Sequence, residues 1–180
     1  MSKILVIGAT WLGDMIMSQS LFKVLHKQGH TIDVLAPKWN HAVLNCMPEI
    51  NQAIEMPFDH GEIKLYARYK FAKSLRANNY DSCIVIPNSF KSALIPFWAK
   101  IPKRTGWLGE CRYLVLNNLQ KLNKTAMPLM VQRLVSLAYL NKDFNQTSIK
   151  ELKYDYPELK VSNDLINSTL NKFSLDNQKN

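Results

Sequence analysis

Short apolar runs that alternate with segments of helical periodicity limit what this chain can fold into more than any other feature. The first run, Lys3–Gly8, is continuously aliphatic, which is typical of a strand buried on both faces of a parallel sheet. Further strands are predicted at 31–36, 53–57, 82–87 and 103–107. Strands that alternate with helices form βαβ units with right-handed crossovers. We therefore predict an α/β protein with a Rossmann-like, doubly wound parallel sheet.

The segments between these strands carry the apolar spacing of amphipathic helices. In the first, about 14–28, apolar residues recur every three or four positions, and Gly29 can end the helix. The others are predicted at about 37–46, at 62–76, after Ser89 as the N-cap of FKSALIPFWAK, and at 128–140. Pro96 should kink or shorten the helix that follows Ser89.

The amino-acid composition of the chain changes after about Asn141. From there to the last residue the sequence is polar and rich in Asn and Lys, with one helix predicted near 162–173. We therefore divide the chain into a Rossmann-like domain, residues 1–145, and a polar linker with a helix, residues 146–180.

The turn GATWLGD, residues 8–14, joins the first strand to the first helix. It does not match either of two phosphate-binding motifs. A Walker loop needs lysine where Asp14 stands, and the third glycine of a dinucleotide fingerprint is missing. Ligands of open parallel sheets bind at this edge, where a helix N-terminus suits an anion. Two interpretations stay open. Asp14 is a helix-start residue stabilised by about 0.3–1 kcal/mol through the helix dipole, or it is a general base.

Positive charge is concentrated in the second half of a chain whose net charge is +9. Between residues 91 and 133, eight cations accompany one anion, Glu110. This imbalance indicates a solvated basic face, or a surface for nucleic acid, an anionic membrane or a phosphorylated substrate. The absence of a recognition-helix or RNP-like motif argues against nucleic acid.

Cysteine content and hydropathy bear on the compartment. Three cysteines without a Cys-x-x-Cys pair predict reduced, buried thiols and no metal site. Neither a signal peptide nor an apolar run of about 18 residues is present. We therefore expect a cytoplasmic protein.

Several segments, in consistent order from about residue 3 to 140, resemble the bacterial ADP-heptose:lipopolysaccharide heptosyltransferases of glycosyltransferase family 9. They are KILVIGATWLGDMIMSQSLFKVL, IDVLAPKW, MPEINQAIEMP, YDSCIVIPNSFKSALIPFWAKIPKRTGW, GECRYLVLNN and MPLMVQRLVSLAYL. The block from PNSFKSAL through RTGW to GECRY is the most specific part. The opening Gly-Asp turn is shared more widely among related glycosyltransferases.

The resemblance implies a GT-B arrangement of two Rossmann-like domains, of which this chain would be the first. That domain mostly handles the lipid-linked acceptor, and the C-terminal domain holds most contacts to the donor, ADP-heptose. The chain ends about where the second domain would begin. We therefore expect a missing C-terminal domain or partner half, whether the chain is a fragment, a truncated product or one of two chains.

The resemblance also suggests roles for individual residues. Asp14 would be the general base that deprotonates a hydroxyl of the acceptor heptose, and inversion would need no covalent intermediate. Lys91, Arg104 and Arg112, with Asn88 and Ser89, would bind the Kdo carboxylates and phosphates of inner-core lipopolysaccharide. These cations should converge near Asp14. The loop residues Thr10, Trp11, Leu12 and Gly13 would lie close to the donor.

Some alternatives remain at this stage. Trp107 could stack on a sugar ring or belong to the core. No cofactor is expected beyond the donor substrate, and contact with the inner membrane would be transient. The rival function is a non-catalytic basic module that binds an anionic sugar phosphate or lipid without turnover.

Overall fold

The computed structural model describes residues 1–58, 61–139 and 152–173, and its centre is a six-stranded sheet. The strands are β1 (Lys3–Ile7), β2 (Thr31–Ala36), β3 (Gln52–Glu55), β4 (Ser82–Val85), β5 (Lys103–Trp107) and β6 (Asn118–Gln120). Their order is β3-β2-β1-β4-β5-β6, and each neighbouring pair is parallel. The strand order reverses between β1 and β4. The doubly wound α/β fold predicted above is confirmed.

Six α-helices connect or follow the strands in the described part of the chain. They are α1 (Leu12–Lys27), α2 (His41–Leu44), α3 (Leu65–Ser74), α4 (Phe90–Trp98), α5 (Met130–Val135) and α6 (Asn163–Lys172). The helix predicted at 128–140 is shorter, because α5 passes into a 3₁₀ turn, Ser136–Tyr139, and position 140 lies outside the described residues. Pro96 lies inside α4, which ends two residues later.

Both faces of the sheet are covered, which explains the unbroken apolar run of β1. Val6 lies in one core cluster with Phe22 of α1, whereas its neighbour Leu5 lies in a second cluster with Ala72 of α3 and Ile95 of α4. Full burial of a large aliphatic or aromatic side chain contributes about 1.5–3 kcal/mol. Neither face of β1 therefore tolerates polar residues, and the alternation of a half-exposed strand is absent.

The sixth strand was not predicted. Its sequence, NLQ, is three residues long and has no apolar run. It is fixed instead by pairing with β5, where the Asn118 side-chain amide donates to Thr105 Oγ1 at 3.0 Å. The signal for this strand therefore lies in its neighbour rather than in its own sequence.

The cysteines depart from the prediction that they are buried. Cys83 of β4 is fully buried, Cys46 is half-buried and Cys111 is exposed. Cys111 lies in the loop after β5 with a positive φ of 56°, so it belongs to a surface turn. Burial raises the pKa of the Cys83 thiol far above its ordinary value, and this group stays protonated at neutral pH.

The segment 152–161 lies along α1 and is attached to it by polar contacts. The buried amide of Gln19 accepts from the Glu158 backbone N–H at 2.7 Å and donates to the Glu158 carbonyl at 2.9 Å. Lys23 donates to the Tyr156 carbonyl at 2.9 Å, and the Lys160 N–H donates to the Cys46 carbonyl at 2.9 Å. The polar composition of this segment thus reflects its bonding to a helix surface.

Candidate functional site

Asp14 lies in the first turn of α1, directly beyond the carboxyl end of β1, as predicted. The helix begins after Trp11, whose carbonyl accepts from the Met15 N–H at 3.0 Å. Asp14 is half-buried, and its carboxylate has no hydrogen bond or ion pair with any residue of the described ranges. Its acceptor capacity is therefore available to a bound molecule.

The turn that carries Asp14 is anchored from the neighbouring connection after β2. The fully buried Asn40 donates to the carbonyls of Ala9 at 3.0 Å and Thr10 at 3.2 Å. The Trp39 indole N–H donates to the same Thr10 carbonyl at 3.1 Å. These bonds fix the path of the chain before α1. Asn40 was not predicted as a site residue, because an asparagine after a strand ordinarily indicates only a turn.

The two glycines of the turn have different roles. A Cβ at Gly8 would lie 2.6 Å from Met15 Cε, 3.1 Å from Val34 Cγ1 and 3.3 Å from the Leu35 carbonyl oxygen, so the close approach of β1, β2 and α1 requires glycine. A Cβ at Gly13 would meet nothing within 4 Å. Gly8 is thus a packing residue, and nothing in the fold presses on Gly13.

The loop residues predicted to lie near the donor form an exposed tip. Trp11 is 69% exposed and Leu12 is 45% exposed, with Gly13 exposed beside them, whereas Thr10 is half-buried. Apolar side chains in this position do not contribute to sheet packing. The tip is available for contact with another molecule or another part of a longer chain.

A small pocket opens at the carboxyl edge of the sheet, between the loops that follow β1, β2, β3 and β4. Gly8 and Thr10 line it on one side, and Lys91 and Ser92 of α4 line it on another. Lys91 is half-buried and has no hydrogen-bond or ion-pair partner within the described residues. Of the three predicted cations, Lys91 is the one that reaches this edge. Arg68 of α3 also lines the pocket, although no sequence pattern singled it out.

Asn88 and Ser89 form the connection from β4 to α4. Asn88 is exposed, and Ser89 occupies the N-cap position. The Ser89 hydroxyl lies 2.6 Å from Ser92 Oγ and does not cap the helix. Glu110 does so instead, because its carboxylate accepts from the Phe90 N–H at 2.7 Å. The expected Ser89 cap is therefore replaced by an acid from the loop after β5.

Arg112 does not present its charge to the edge, contrary to the expectation that the three cations converge. It is fully buried, and its guanidinium donates to the Pro87 carbonyl at 2.6 Å, to Asn88 Oδ1 at 3.1 Å and to the Trp107 carbonyl. Burial lowers the pKa of Arg112, and the Glu110 charge partly offsets this. The arginine ties the loop after β4 to the end of β5.

Arg104 also lies elsewhere. Its position on β5 is in register with Cys83 and Leu5, two residues short of the carboxyl edge, or about 7 Å along a strand. Its guanidinium donates to the carbonyls of Val115 at 2.7 Å and Ile101 at 2.6 Å. Arg104 therefore holds together the turns at the amino end of β5, and it shares no surface with Asp14.

Trp107 belongs to the core. It is buried, and its indole N–H donates to the Arg133 carbonyl at 3.0 Å. Because the ring lies inside the cluster that also holds Met127 and Leu134, it has no face for a sugar. Among the described residues no group of three or more His, Cys, Asp or Glu side chains could hold a metal ion.

Comparison with known proteins identifies the family to which a chain with this fold belongs. A family model described as "Glycosyltransferase family 9 (heptosyltransferase)" matches residues 68–176. The chain belongs to glycosyltransferase family 9. Lipopolysaccharide heptosyltransferase 2 of Escherichia coli (strain K12) is 48% identical over 181 residues, covering 98% of this chain and 51% of the relative.

A relative from another organism and a solved structure agree with this assignment. Lipooligosaccharide heptosyltransferase 2 of Haemophilus ducreyi is 48% identical over 177 residues, covering 96% of this chain and 49% of the relative. The structure of E. coli ADP-heptose lps heptosyltransferase II superimposes with a TM-score of 0.87 at 45% identity, covering 98% of this chain and 52% of that chain. The chain thus spans about half the length of the curated relatives it matches.

A more distant family 9 structure supports the fold alone. The glycosyl transferase from Veillonella parvula matches with a TM-score of 0.78 at 12% identity, covering 99% of this chain and 51% of that chain. Within family 9, the present chain therefore corresponds to one Rossmann-like half. The site described above lies on that half, at the edge where the strand order reverses.

Proposed function

We propose that this chain is the acceptor-binding half of a heptosyltransferase of lipopolysaccharide inner-core biosynthesis. The donor is ADP-L-glycero-D-manno-heptose, the acceptor is heptosyl-Kdo2-lipid A, and the reaction inverts the anomeric carbon. Membership of family 9 and the names of the relatives support this reaction. The observation that carries the proposal is the half-buried, unpartnered carboxylate of Asp14 at the carboxyl edge of the sheet.

Asp14 acts as the general base in this proposal. Its carboxylate takes the proton of the acceptor hydroxyl, and the hydroxyl oxygen forms a bond to the anomeric carbon of the donor. The bond from that carbon to the ADP oxygen breaks, and ADP leaves with the electron pair. One displacement inverts the configuration, so no covalent sugar–enzyme intermediate forms. General-base catalysis of this kind contributes about 10²–10⁴-fold to a rate.

The acceptor lies over the pocket edge, where Lys91 supplies charge and the exposed Asn88 and half-buried Ser89 supply polar contacts. Arg112 supports this surface from within the fold, because its guanidinium donates to the carbonyl of Pro87, which lines the pocket. Arg104 lies at the amino end of β5 and takes no part in it. Charge attraction to an anionic acceptor should weaken with salt, since the Debye length is about 8 Å at physiological ionic strength.

The donor is held mainly by a second α/β half, present as a further part of a longer protein or as another chain. Two exposed apolar features of this chain support contact with that second half. The tip formed by Trp11 and Leu12 adjoins Asp14, and exposed apolar residues lie on α6, at Leu165 and Ile166, and directly after it, at Phe173. No cofactor or metal takes part in this proposal.

The reaction is placed at the cytoplasmic face of the inner membrane, where a lipid-linked acceptor would be reached by transient surface contact. The chain's positive charge and the exposed tip support such contact. In the ranges that the structure describes, no helix is long and apolar enough to cross a bilayer.

The test uses an extended enzyme that carries this sequence and its second half. Heptose transfer from ADP-heptose is measured for the unchanged enzyme, for Asp14→Asn, and for the control Asp164→Asn. Asp164 is the acidic residue in the first turn of α6, so its replacement also removes one negative charge from the first turn of a helix. We expect kcat to fall about 10²–10⁴-fold for Asp14→Asn, with the acceptor KM nearly unchanged, and to stay unchanged for the control.

Two results would contradict the proposal in different ways. Turnover of Asp14→Asn near that of the unchanged enzyme would make Asp14 a helix-start residue only. An extended enzyme that binds the acceptor but never transfers heptose would favour the rival function, a non-catalytic module that binds an anionic sugar phosphate or lipid.

A further inference from the structure

Trp39 is an exposed tryptophan at the rim of the pocket at the carboxyl edge of the sheet. It lies in the 3₁₀ turn Lys38–Asn40 that follows β2, and it is 55% exposed. It lines the pocket together with Thr10 of the loop that leads to Asp14. Single exposed apolar residues are common on protein surfaces. A function for Trp39 therefore has to rest on how its ring is held and on what lies beside it.

The indole ring of Trp39 is held in one orientation although the residue is exposed. Its N–H donates to the Thr10 carbonyl at 3.1 Å. The next residue, Asn40, is fully buried and donates through its side chain to the same carbonyl at 3.2 Å. The Asn40 backbone N–H donates to the Pro37 carbonyl at 3.0 Å. The backbone and side chain of Trp39 are thus ordered before any ligand binds, and an ordered side chain loses little entropy on binding.

Within the described ranges, the Trp39 ring is paired with no other aromatic ring and with no cation. By contrast, Trp98 packs edge to face with Tyr69 at 5.8 Å, and the Arg68 guanidinium lies 4.4 Å from the Phe58 ring centroid. The face of an indole carries partial negative charge and attracts C–H groups, which carry partial positive charge. A pyranose ring presents such C–H groups on one face. The open face of Trp39 therefore suits a sugar ring.

The size of the pocket beside Trp39 determines how a sugar can lie there. Its volume is about 60 Å³. A water molecule occupies about 30 Å³ in the liquid, so the pocket has room for about two waters. A hydroxyl or hydroxymethyl group fits this space, whereas a pyranose ring does not. A sugar that places one such group in the pocket has its ring over the rim, where Trp39 lies.

The same features argue against a membrane anchor. Tryptophans at a membrane interface place the apolar ring in the bilayer and the indole N–H among the polar headgroups. The N–H of Trp39 is instead bonded to the Thr10 carbonyl of its own chain. Trp39 also lies beside a polar pocket and is less exposed than Trp11 at the loop tip, 55% against 69%. A sugar ring is therefore the occupant that fits this site.

We infer that Trp39 is an aromatic platform on which a sugar ring of the acceptor stacks. The inference rests on the proposed function for the identity of the sugar, whereas the stacking itself needs only a pyranose. Asp14 follows Thr10 by four residues, so their Cα atoms are separated by no more than about 14 Å. A ring stacked on Trp39 therefore lies on the same side of the sheet as the proposed base. Trp39 affects how tightly the acceptor binds and takes no part in proton transfer.

The first experiment measures binding of the methyl glycosides of heptose and of Kdo to the 180-residue chain by NMR titration. The variants are Trp39→Leu, which removes the aromatic ring, and Trp39→Phe, which keeps a ring but loses the N–H. The control is Tyr156→Leu, because Tyr156 is 70% exposed and lies beside Lys23 in the second half of α1, whereas the carboxyl edge lies at the start of that helix. We expect the glycoside Kd to rise about tenfold for Trp39→Leu and about twofold to threefold for Trp39→Phe. The control should bind as the unchanged chain does, and the glycoside that binds more tightly identifies the ring that stacks.

Three results of this titration would overturn the inference. The first is that neither glycoside binds the unchanged chain, and the second is that Trp39→Leu binds as tightly as the control. The third is an equal loss for Trp39→Phe and Trp39→Leu, which would show that Trp39 only ties the loop through its N–H. Circular dichroism checks the folding of both variants, which keep the bond from Asn40 to the Thr10 carbonyl.

A measurement on the unchanged chain needs no variant. The indole N–H resonance of Trp39 should shift as the glycoside is added, whereas that of the buried Trp107, which donates to the Arg133 carbonyl, should stay in place. Absence of a shift at Trp39 while the glycoside binds would place the sugar elsewhere and overturn the inference.

A second experiment separates this inference from the proposed function. In the extended enzyme, Trp39→Leu should raise the acceptor KM about tenfold with kcat little changed, whereas Asp14→Asn lowers kcat. Heptose transfer with an unchanged acceptor KM in Trp39→Leu would refute only the platform. Glycoside binding that depends on Trp39, in an enzyme without transferase activity, would retain the platform and refute only the proposed function.

The membrane alternative is tested with vesicles of phosphatidylethanolamine and phosphatidylglycerol. We expect Trp39→Leu and the control Tyr156→Leu to bind these vesicles equally well. Weaker vesicle binding by Trp39→Leu together with unchanged glycoside binding would assign the exposed ring to the bilayer and overturn the inference.

Discussion

Replacing Arg112 by alanine should remove a large part of the free energy of unfolding of this chain. The buried guanidinium donates to Pro87, Asn88 and Trp107, so the variant leaves three acceptors without their donor and opens a cavity. A buried acceptor left without its donor costs about 1–3 kcal/mol. Three acceptors at the low end of that range, together with the cavity, should cost about 3–5 kcal/mol, against a total stability of about 5–15 kcal/mol. The preceding turn adds to the sensitivity, because Glu110 and Cys111 both have positive φ, 41° and 56°.

The assay is urea unfolding of the 180-residue chain followed by circular dichroism, with Lys121→Ala as the control. Lys121 is an exposed cation after β6, and its replacement should change stability by no more than about 0.5 kcal/mol. A loss of 3–5 kcal/mol in Arg112→Ala corresponds to a fall in Tm of about 6–20 °C. If Arg112→Ala is as stable as the control, the arginine is not a structural tie. Its expected role as a free acceptor-binding cation would then be restored.

Three further predictions follow from burial and packing. Burial and the Asp33 carboxylate raise the pKa of Tyr80, so the stability that this group contributes is complete below the ordinary tyrosine pKa near 10 and declines progressively above it, as the unfolded chain ionises. Unfolding from pH 9 to 11 should therefore show a smaller stability loss for Tyr80→Phe than for the unchanged chain. Ellman's reagent should modify the exposed Cys111 quickly and the buried Cys83 only after unfolding, and rapid modification of Cys83 in the folded chain would contradict its burial. Gly8→Ala should destabilise the fold by about 1–3 kcal/mol through overpacking, whereas Gly13→Ala should be neutral or stabilising by up to about 1 kcal/mol, as measured by urea unfolding.

The fold was predictable because its strongest signals are local. The strands at 31–36 and 103–107 were predicted with the bounds that the structure has, since each is a compact run between turn residues. β6 was missed because its three residues have no pattern of their own and depend on pairing with β5. The length of α5 was overestimated because apolar periodicity continues into a 3₁₀ turn, and spacing alone does not distinguish the two.

The candidate site was predictable only in part, because a sequence shows which residues are charged but not where their side chains point. Asp14 was found from its position after a strand, whereas Lys91 was named through the resemblance to the family. Arg112 occurs in the same basic region, but its side chain turns inward to backbone carbonyls that no sequence pattern reveals. Arg68 was not predicted, because it lies in a helix of polar composition. Its side chain lines the pocket because the Ile63 carbonyl and the Phe58 ring hold it there.

The central position of β1 has a consequence for how the chain acquires its structure during synthesis. β1, β2 and β3 pair with one another using residues 3–55, and β4, β5 and β6 do so using residues 82–120, so β1 with β4 is the one seam between two locally assembled halves. A nascent chain shorter than about residue 85 therefore exposes an unpaired edge of a strand that is apolar on both faces. Such an edge recruits other strands, and seams of large sequence separation close slowly. Pairing of β4 with β1 consequently covers the exposed edge of the first half and passes it to β4 and then β5, until β6, which has no apolar run, ends the sheet.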